Sequence, residues 1–244
     1  DVCFTSPPYN AGDNSGLVTG KKGSFSKNNF YENESQDSKT ENEYVDFLNS
    51  FFNCILINCS TEYKIFININ YNYNSPSSYI KFVNNCLEKT NLKETIIWKK
   101  SSAMPIPLGL TRLTEFIFLF SHTTKNDFIQ ESKKDTLFNF YEIKNGGSQI
   151  KGHNAAFPIE LPFELIKIVK GNNIYEPFCG TGSTMVASNQ LNRKCYGMEL
   201  DPKYCDVIVA RMIKLDSTLP IKRNGVLLTN SEVLKFTENT SESN

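Results

Sequence analysis

The sequence holds only two histidines, His122 and His153, and one tryptophan, Trp98, in 244 residues. Its seven cysteines (Cys3, Cys54, Cys59, Cys86, Cys179, Cys195 and Cys205) form no CxxC pair and have no histidine at metal-ligand spacing. A metal centre is therefore not expected. Lysine plus arginine and aspartate plus glutamate both number 26, so the global basic field of many nucleic-acid binders is missing. Any nucleic-acid surface has to be local. No apolar run approaches the roughly 18 residues of a membrane helix, and no charged-then-apolar leader opens the chain. We expect a soluble, cytoplasmic protein whose thiols stay reduced and pack as small hydrophobes.

What is present suits one sizeable α/β domain. Val2-Cys3-Phe4-Thr5 reads as a buried parallel strand stopped by Pro7-Pro8. Nothing leads into that strand, so a natural start upstream of Asp1 is expected. Residues 11–40 are rich in Gly, Ser, Asn and Lys and read as a long loop of the kind that is functional or disordered. Tyr44, Phe47, Leu48, Phe51, Phe52 and Ile55 recur at helical spacing and predict a helix over 41–59.

Strands are predicted at 64–69, 94–98, 115–121, 137–143, 173–175 and 195–198, with helices at 77–90, 161–169, 183–191 and 202–215. Alternation of this kind predicts a mostly parallel sheet with helices on both faces. Residues 1–214 would form the domain. Residues 215–244 read as a C-terminal extension, disordered from Thr237 onward.

Two constellations carry chemistry. In the first, Glu176-Pro177-Phe178-Cys179-Gly180-Thr181-Gly182-Ser183-Thr184, a strand ends and a Gly-x-Gly turn lets the backbone approach a ligand where a helix begins. Glu199, at the end of the next strand, is placed to accept the hydroxyls of a ribose. A dinucleotide site would want a third glycine where Met185 stands, and no Walker lysine follows, so both of those readings lose ground. S-adenosylmethionine keeps the ribose and the carboxylate and lacks the phosphates, and Glu176 could hold its ammonium group.

The second is Thr5-Ser6-Pro7-Pro8-Tyr9-Asn10. An exocyclic base amine is a poor nucleophile because its lone pair is delocalised into the ring. A catalyst must accept hydrogen bonds from it, and Ser6 Oγ with the Pro7 carbonyl can do so, held by the rigid Pro7-Pro8 pair. Tyr9 offers a face on which an extruded base can stack.

With these residues in place, the chain resembles the DNA amino-methyltransferase family, whose signature is Ser, Asp or Asn followed by Pro-Pro-Tyr or Pro-Pro-Phe. Ser6, Pro7, Pro8 and Tyr9 match the catalytic motif. Glu176, Pro177, Phe178, Gly180, Thr181, Gly182, Ser183 and Thr184 match the cofactor loop, and Glu199 the ribose-binding acid. Residues 153–158, with Phe157 and Pro158, look like the element that packs on the methionine side. The motif order, catalytic before cofactor, resembles the circularly permuted β class. Glu176 stands where the family usually has Asp.

The resemblance implies a Rossmann-like S-adenosylmethionine-dependent fold, a flipped base in double-stranded DNA and a restriction-modification setting. A cognate restriction endonuclease is implied as a partner, and the protein would be a monomer or homodimer. Relatives that make 5-methylcytosine need a Pro-Cys nucleophile, and this chain has no Pro-Cys dipeptide, so direct transfer to nitrogen is implied. Ser6 leans towards N4 of cytosine; N6-adenine and an inactive DNA-binding remnant stay as alternatives. Lys21, Lys22 and Lys27, then Lys100 and Arg112, lie on loops that could hold phosphates. Residues 122–152, with Lys133, Lys134, Lys144 and Lys151, occupy the family's place for target recognition. His122, His153 and Trp98 read as structural.

Overall fold

The computed structural model describes residues 1–10, 39–71, 75–103, 109–130, 136–145 and 157–239. Seven strands form the main sheet: β1 (Val2–Thr5), β2 (Lys64–Ile69), β3 (Asn91–Lys99), β4 (Thr114–Ser121), β5 (Phe140–Glu142), β6 (Asn173–Glu176) and β7 (Lys194–Gly197). Their spatial order is β5-β3-β4-β2-β1-β6-β7. β1 runs parallel to both β2 and β6, β6 to β7, and β3 to β5. Among the described strands of this sheet, β4 alone is reversed against both its neighbours, β2 and β3. The sequence before it suits that reversal: residues 100–113 carry two prolines and no helical period, the pattern of a return beside β3 rather than of a helical crossover.

Helices cover both faces, as the alternation predicts. Val2, Phe4, Phe66, Ile117 and Leu119 point to one side and pack on α3 (Glu160–Lys167) through Leu161, Leu165 and Ile166. Cys3, Ile65, Ile67, Ile69, Phe118 and Phe120 point to the other, against α1 (Glu41–Asn58) and α2 (Ser78–Leu87). The period of two along each strand thus divides its side chains between two cores. Each fully buried Phe or Ile contributes roughly 1.5–3 kcal/mol.

Local signals fix the helix starts. Thr40 caps α1 in a capping box with Glu43. Asp201 caps α5 (Pro202–Leu215), accepting from the Lys203 amide, with Pro202 in the first turn. α4 (Ser183–Gln190) begins at Gly182, whose φ of 81° is left-handed.

Two segments add detail to the sequence pattern. Of the segment 122–152, the described strand is β5, which joins the main sheet as its edge beside β3. Beyond α5 the chain is ordered further than its composition suggests. Strands β8 (Lys222–Arg223) and β9 (Val226–Leu227) form a hairpin over Asn224-Gly225, both with positive φ, as a type I′ turn requires. α6 (Asn230–Asn239) follows and packs on α5, with Arg223 set over the Phe236 ring. Of the stretch expected to be disordered, residues 237–239 are helical and 240–244 lie outside the described residues. Trp98 is a core residue, its indole N–H donating to the Ile143 carbonyl. No helix among the described residues is long and apolar enough to cross a membrane.

Candidate active site

β1 and β6 are parallel neighbours whose following helices lead the chain in opposite directions, to β2 on one side and β7 on the other. Open α/β sheets bind ligands in the crevice at such a divergence, beyond the carboxyl ends of the strands. Both constellations leave the sheet there: residues 6–10 from β1, residues 177–182 from β6.

After β1, Pro7 is buried and Pro8 exposed. The Pro8 carbonyl accepts from Tyr44 Oη on α1 at 2.7 Å, which ties the turn to the helix. Asn10 is buried in the left-handed conformation, φ 55°, which asparagine tolerates better than most residues. Its amide oxygen accepts from Lys39 N and its Nδ2 donates to Lys39 O, both at 2.7 Å. One side chain thereby fastens residue 10 to residue 39; residues 11–38, with Lys21, Lys22 and Lys27, lie outside the described residues.

The tips of Ser6 and Tyr9 meet a polar group that the sequence reading did not assemble. Ser6 Oγ lies 3.1 Å from Tyr9 Oη and 3.3 Å from Asn68 Oδ1. Tyr9 Oη is 2.8 Å from Asn68 Oδ1 and 3.1 Å from Glu115 Oε2. Glu115 Oε1 in turn accepts from Lys100 Nζ at 2.8 Å. Burial first, then the Glu115 charge, holds the Tyr9 phenol well above its usual range, so it stays protonated. Lys100, on a loop that could hold phosphates, is engaged with Glu115. Arg112 lies with its guanidinium 3.7 Å from the Tyr71 ring centre at the same edge.

Asn68 and Glu115 each carried a sequence signal. Asn68 interrupts the apolar run 65–69, and Glu115 sits directly before the run of Phe, Ile and Leu over residues 116–120. Polar residues inside buried strands demand partners, and that demand identifies them. Because β4 is antiparallel, its first residues come to the same edge as the last residues of β2, which sequence order does not reveal.

The β6 loop is held from several sides. Glu176 is 1% exposed; it accepts from the Phe178 amide at 3.1 Å and from Thr184 Oγ1 at 2.9 Å. Burial pushes its carboxyl up to about 8. Glu199 accepts from Gly180 N at 2.7 Å and from Asp201 N at 2.9 Å, so each of its oxygens keeps a lone pair. Ser183 Oγ donates to the Phe157 carbonyl at 2.9 Å, bringing Phe157 and Pro158 beside the loop. Arg211, on the stripe of α5 that holds Tyr204 and Ile208, donates to Thr181 O at 2.6 Å and Thr181 Oγ1 at 3.1 Å.

The side chains of Thr181, Ser183 and Thr184 are therefore spent on the shape of the loop. The Phe178 ring turns to α1, 5.5 Å from Phe51. Gly182 and Gly197 are packed tightly: a Cβ on Gly182 would lie 2.9 Å from Ile208, and one on Gly197 only 2.3 Å from Cys179 Sγ. At Gly180, φ 50°, a Cβ would meet nothing within 4 Å, so the backbone there borders open space. Of the proposed cofactor residues, Glu176 and Glu199 thus converge with Gly180 at the crevice, and among the described residues neither acid pairs with a lysine or arginine. His153 to Ala156 lie outside the described residues.

A family model described as DNA methylase, of the N6/N4 methyltransferase kind, matches residues 1–210. The chain belongs to the DNA methylase family. It is 30% identical over 136 residues to the type II methyltransferase M.Cfr9I of Citrobacter freundii, a match covering 50% of this chain and 44% of that protein. M.MthZI of Methanothermobacter thermautotrophicus is 29% identical, with 52% and 46% covered. The chain thus spans under half the length of these DNA methylases. Among solved structures, the cytosine-N4-specific PvuII DNA methyltransferase superposes with a TM-score of 0.70 over 100% of this chain and 86% of its own, at 16% identity. The M1.HpyAVI complex with S-adenosylmethionine gives 0.58 over 86% and 88%, at 19% identity. At such identities the likeness shows the fold: a Rossmann-like methyltransferase sheet, with the permuted order of motifs seen here.

Proposed function

We propose that this DNA methylase family member is an S-adenosylmethionine-dependent DNA methyltransferase that transfers the methyl group directly to the exocyclic amine of a flipped base, N4 of cytosine favoured. The observation that carries the reading is the meeting of the Ser6-Pro7-Pro8-Tyr9 turn with the Glu176 and Glu199 loop at one crevice between β1 and β6.

The residues present fit such a cofactor. Glu176 is a buried carboxylate without a lysine or arginine partner among the described residues, which a bound ammonium group would supply. Glu199 keeps lone pairs for a ribose diol. Gly180 lets a ligand approach the backbone. When bound, the cofactor supplies an electrophilic methyl on a sulfonium. The protein's part is to accept hydrogen bonds from the amine at Ser6 Oγ and the Pro7 carbonyl, and to hold the base against Tyr9. No cysteine nucleophile enters: burial pushes the Cys179 thiol far up, and its S–H donates to the Glu176 carbonyl at 3.3 Å.

The similarity to the type II methyltransferases M.Cfr9I and M.MthZI supports DNA as the substrate; with that reading we propose a double-stranded target, a restriction-modification setting in the cytoplasm, a cognate endonuclease as partner and a monomer or homodimer as the working form. Incubating duplex oligonucleotides with labelled cofactor and digesting them to nucleosides tests the base. Label in N4-methylcytosine is expected. Label only in N6-methyladenine would reassign the base, and DNA binding without any label would make the chain an inactive remnant.

A further inference from the structure

We infer that Tyr9 and Glu115 turn the Ser6 hydroxyl into an obligate acceptor for the amine and carry away the proton that methyl transfer releases. The inference rests on the methyltransferase reading above and adds two residues to it.

A serine hydroxyl can donate or accept, and only acceptance helps a delocalised amine to attack. Its direction is set here by what surrounds it. Asn68 Nδ2 donates to the Phe116 carbonyl at 3.2 Å, which leaves Asn68 Oδ1, a pure acceptor, facing the two hydroxyls. Glu115 is the second acceptor, facing Tyr9 Oη at 3.1 Å with Oε2 while its Oε1 accepts from Lys100 Nζ at 2.8 Å. With acceptors at the inner end, the Tyr9 proton points to Asn68 or Glu115, and the Ser6 proton points to Tyr9 Oη or Asn68. The lone pairs of Ser6 Oγ then face outward to the amine.

The same chain disposes of a proton. As the amine nitrogen gains the methyl group, the carbon–sulfur bond of the donor breaks and its electron pair stays on sulfur. The nitrogen then carries one proton too many. That proton passes to Ser6 Oγ, the Ser6 proton to Tyr9 Oη, and the Tyr9 proton to Glu115, which becomes neutral and later loses it to water. The positive charge of the sulfonium leaves the site as this proton, so charge balances. Tyr9 adjoins the base and Glu115 acts through it, as the positioning residue and the terminus of the path.

The test is single-turnover methylation of a duplex oligonucleotide by the full chain at saturating DNA and cofactor, for wild type, Tyr9→Phe and Glu115→Gln. Tyr9→Phe keeps the ring that would stack on the base, and Glu115→Gln keeps the shape of the carboxyl group. We expect the rate to fall by about 10² in each, in the range of lost acid-base assistance, while DNA and cofactor affinities change less than about twofold. A solvent deuterium isotope effect on the wild-type rate should vanish in both variants, and Glu115→Asp should recover part of the rate. Wild-type rates and isotope effects in both variants overturn the inference, as does a loss confined to DNA affinity, which would mark a purely structural role. Wild-type protein that transfers no methyl to DNA overturns the methyltransferase reading itself, and this inference with it.

Discussion

Arg211, in the second half of α5, holds both the carbonyl and the hydroxyl of Thr181, at 2.6 and 3.1 Å, and so clamps the loop between β6 and α4 from outside the sheet. A charged donor to a neutral acceptor contributes about 1.5–3 kcal/mol. Arg211→Met keeps much of the apolar stem and removes both bonds. We expect stability to fall by about that amount in urea unfolding, and cofactor affinity to drop about tenfold by calorimetry, because the backbone at Gly180 loses its fixed approach. An unchanged midpoint would show that the clamp adds nothing.

Gly197 has the tightest surroundings of the described glycines, with Cys179 Sγ at 2.3 Å and Met185 Cε at 3.0 Å from the position of a Cβ. Gly197→Ala should destabilise the fold by about 1–3 kcal/mol through overpacking. Adding Cys179→Ala should return part of that loss, since the two side chains compete for one space. Independent, additive effects in the double variant would refute the packing explanation.

Glu176 gives a pH dependence with a definite sign. Its ordinary value is 4.5, and burial raises it to about 8 in the fold. Between these values the folded chain holds a proton that the unfolded chain has released, so its contribution is fully present below about 4.5 and is lost as pH rises through about 8. Glu176→Gln should flatten that fall and raise the melting temperature at pH 8 relative to wild type. Cofactor binding should move the opposite way. Wild-type affinity rises with pH as the carboxylate forms, whereas the glutamine variant binds weakly and evenly across the range. A glutamine variant that binds S-adenosylmethionine as wild type does would remove Glu176 from the cofactor site.

Ser6→Ala separates chemistry from binding. If Ser6 accepts a hydrogen bond from the amine in the transition state, turnover should fall about 10²-fold with cofactor affinity changed less than twofold. Equal losses in the two quantities would count against the assigned role.

Much of the architecture is written locally. The apolar runs of Val2–Thr5 and Lys64–Ile69, the helical spacing of Tyr44 to Ile55 and the Asp201-Pro202 start of α5 each act within a few residues of chain, and the observed elements follow them closely. The reversed β4 is the antiparallel member of the mostly parallel sheet, because direction is set by the connection as well as by the strand. The β8-β9 hairpin announces itself only in Asn224-Gly225, a signal easily lost in a polar tail.

The sequence by itself determined the residue types of the two constellations, their order and the strand ends that carry them, because turns and caps are decided by neighbouring residues. Only the tertiary structure decided which groups complete them. Asn68 and Glu115 reach Tyr9 across 59 and 106 positions, Tyr44 reaches Pro8 across 36, and Arg211 reaches Thr181 across 30. The physical reason is that a buried hydroxyl or carboxylate must be satisfied by whatever polar atom the packed sheet brings within about 3 Å, and packing, not sequence distance, chooses that atom.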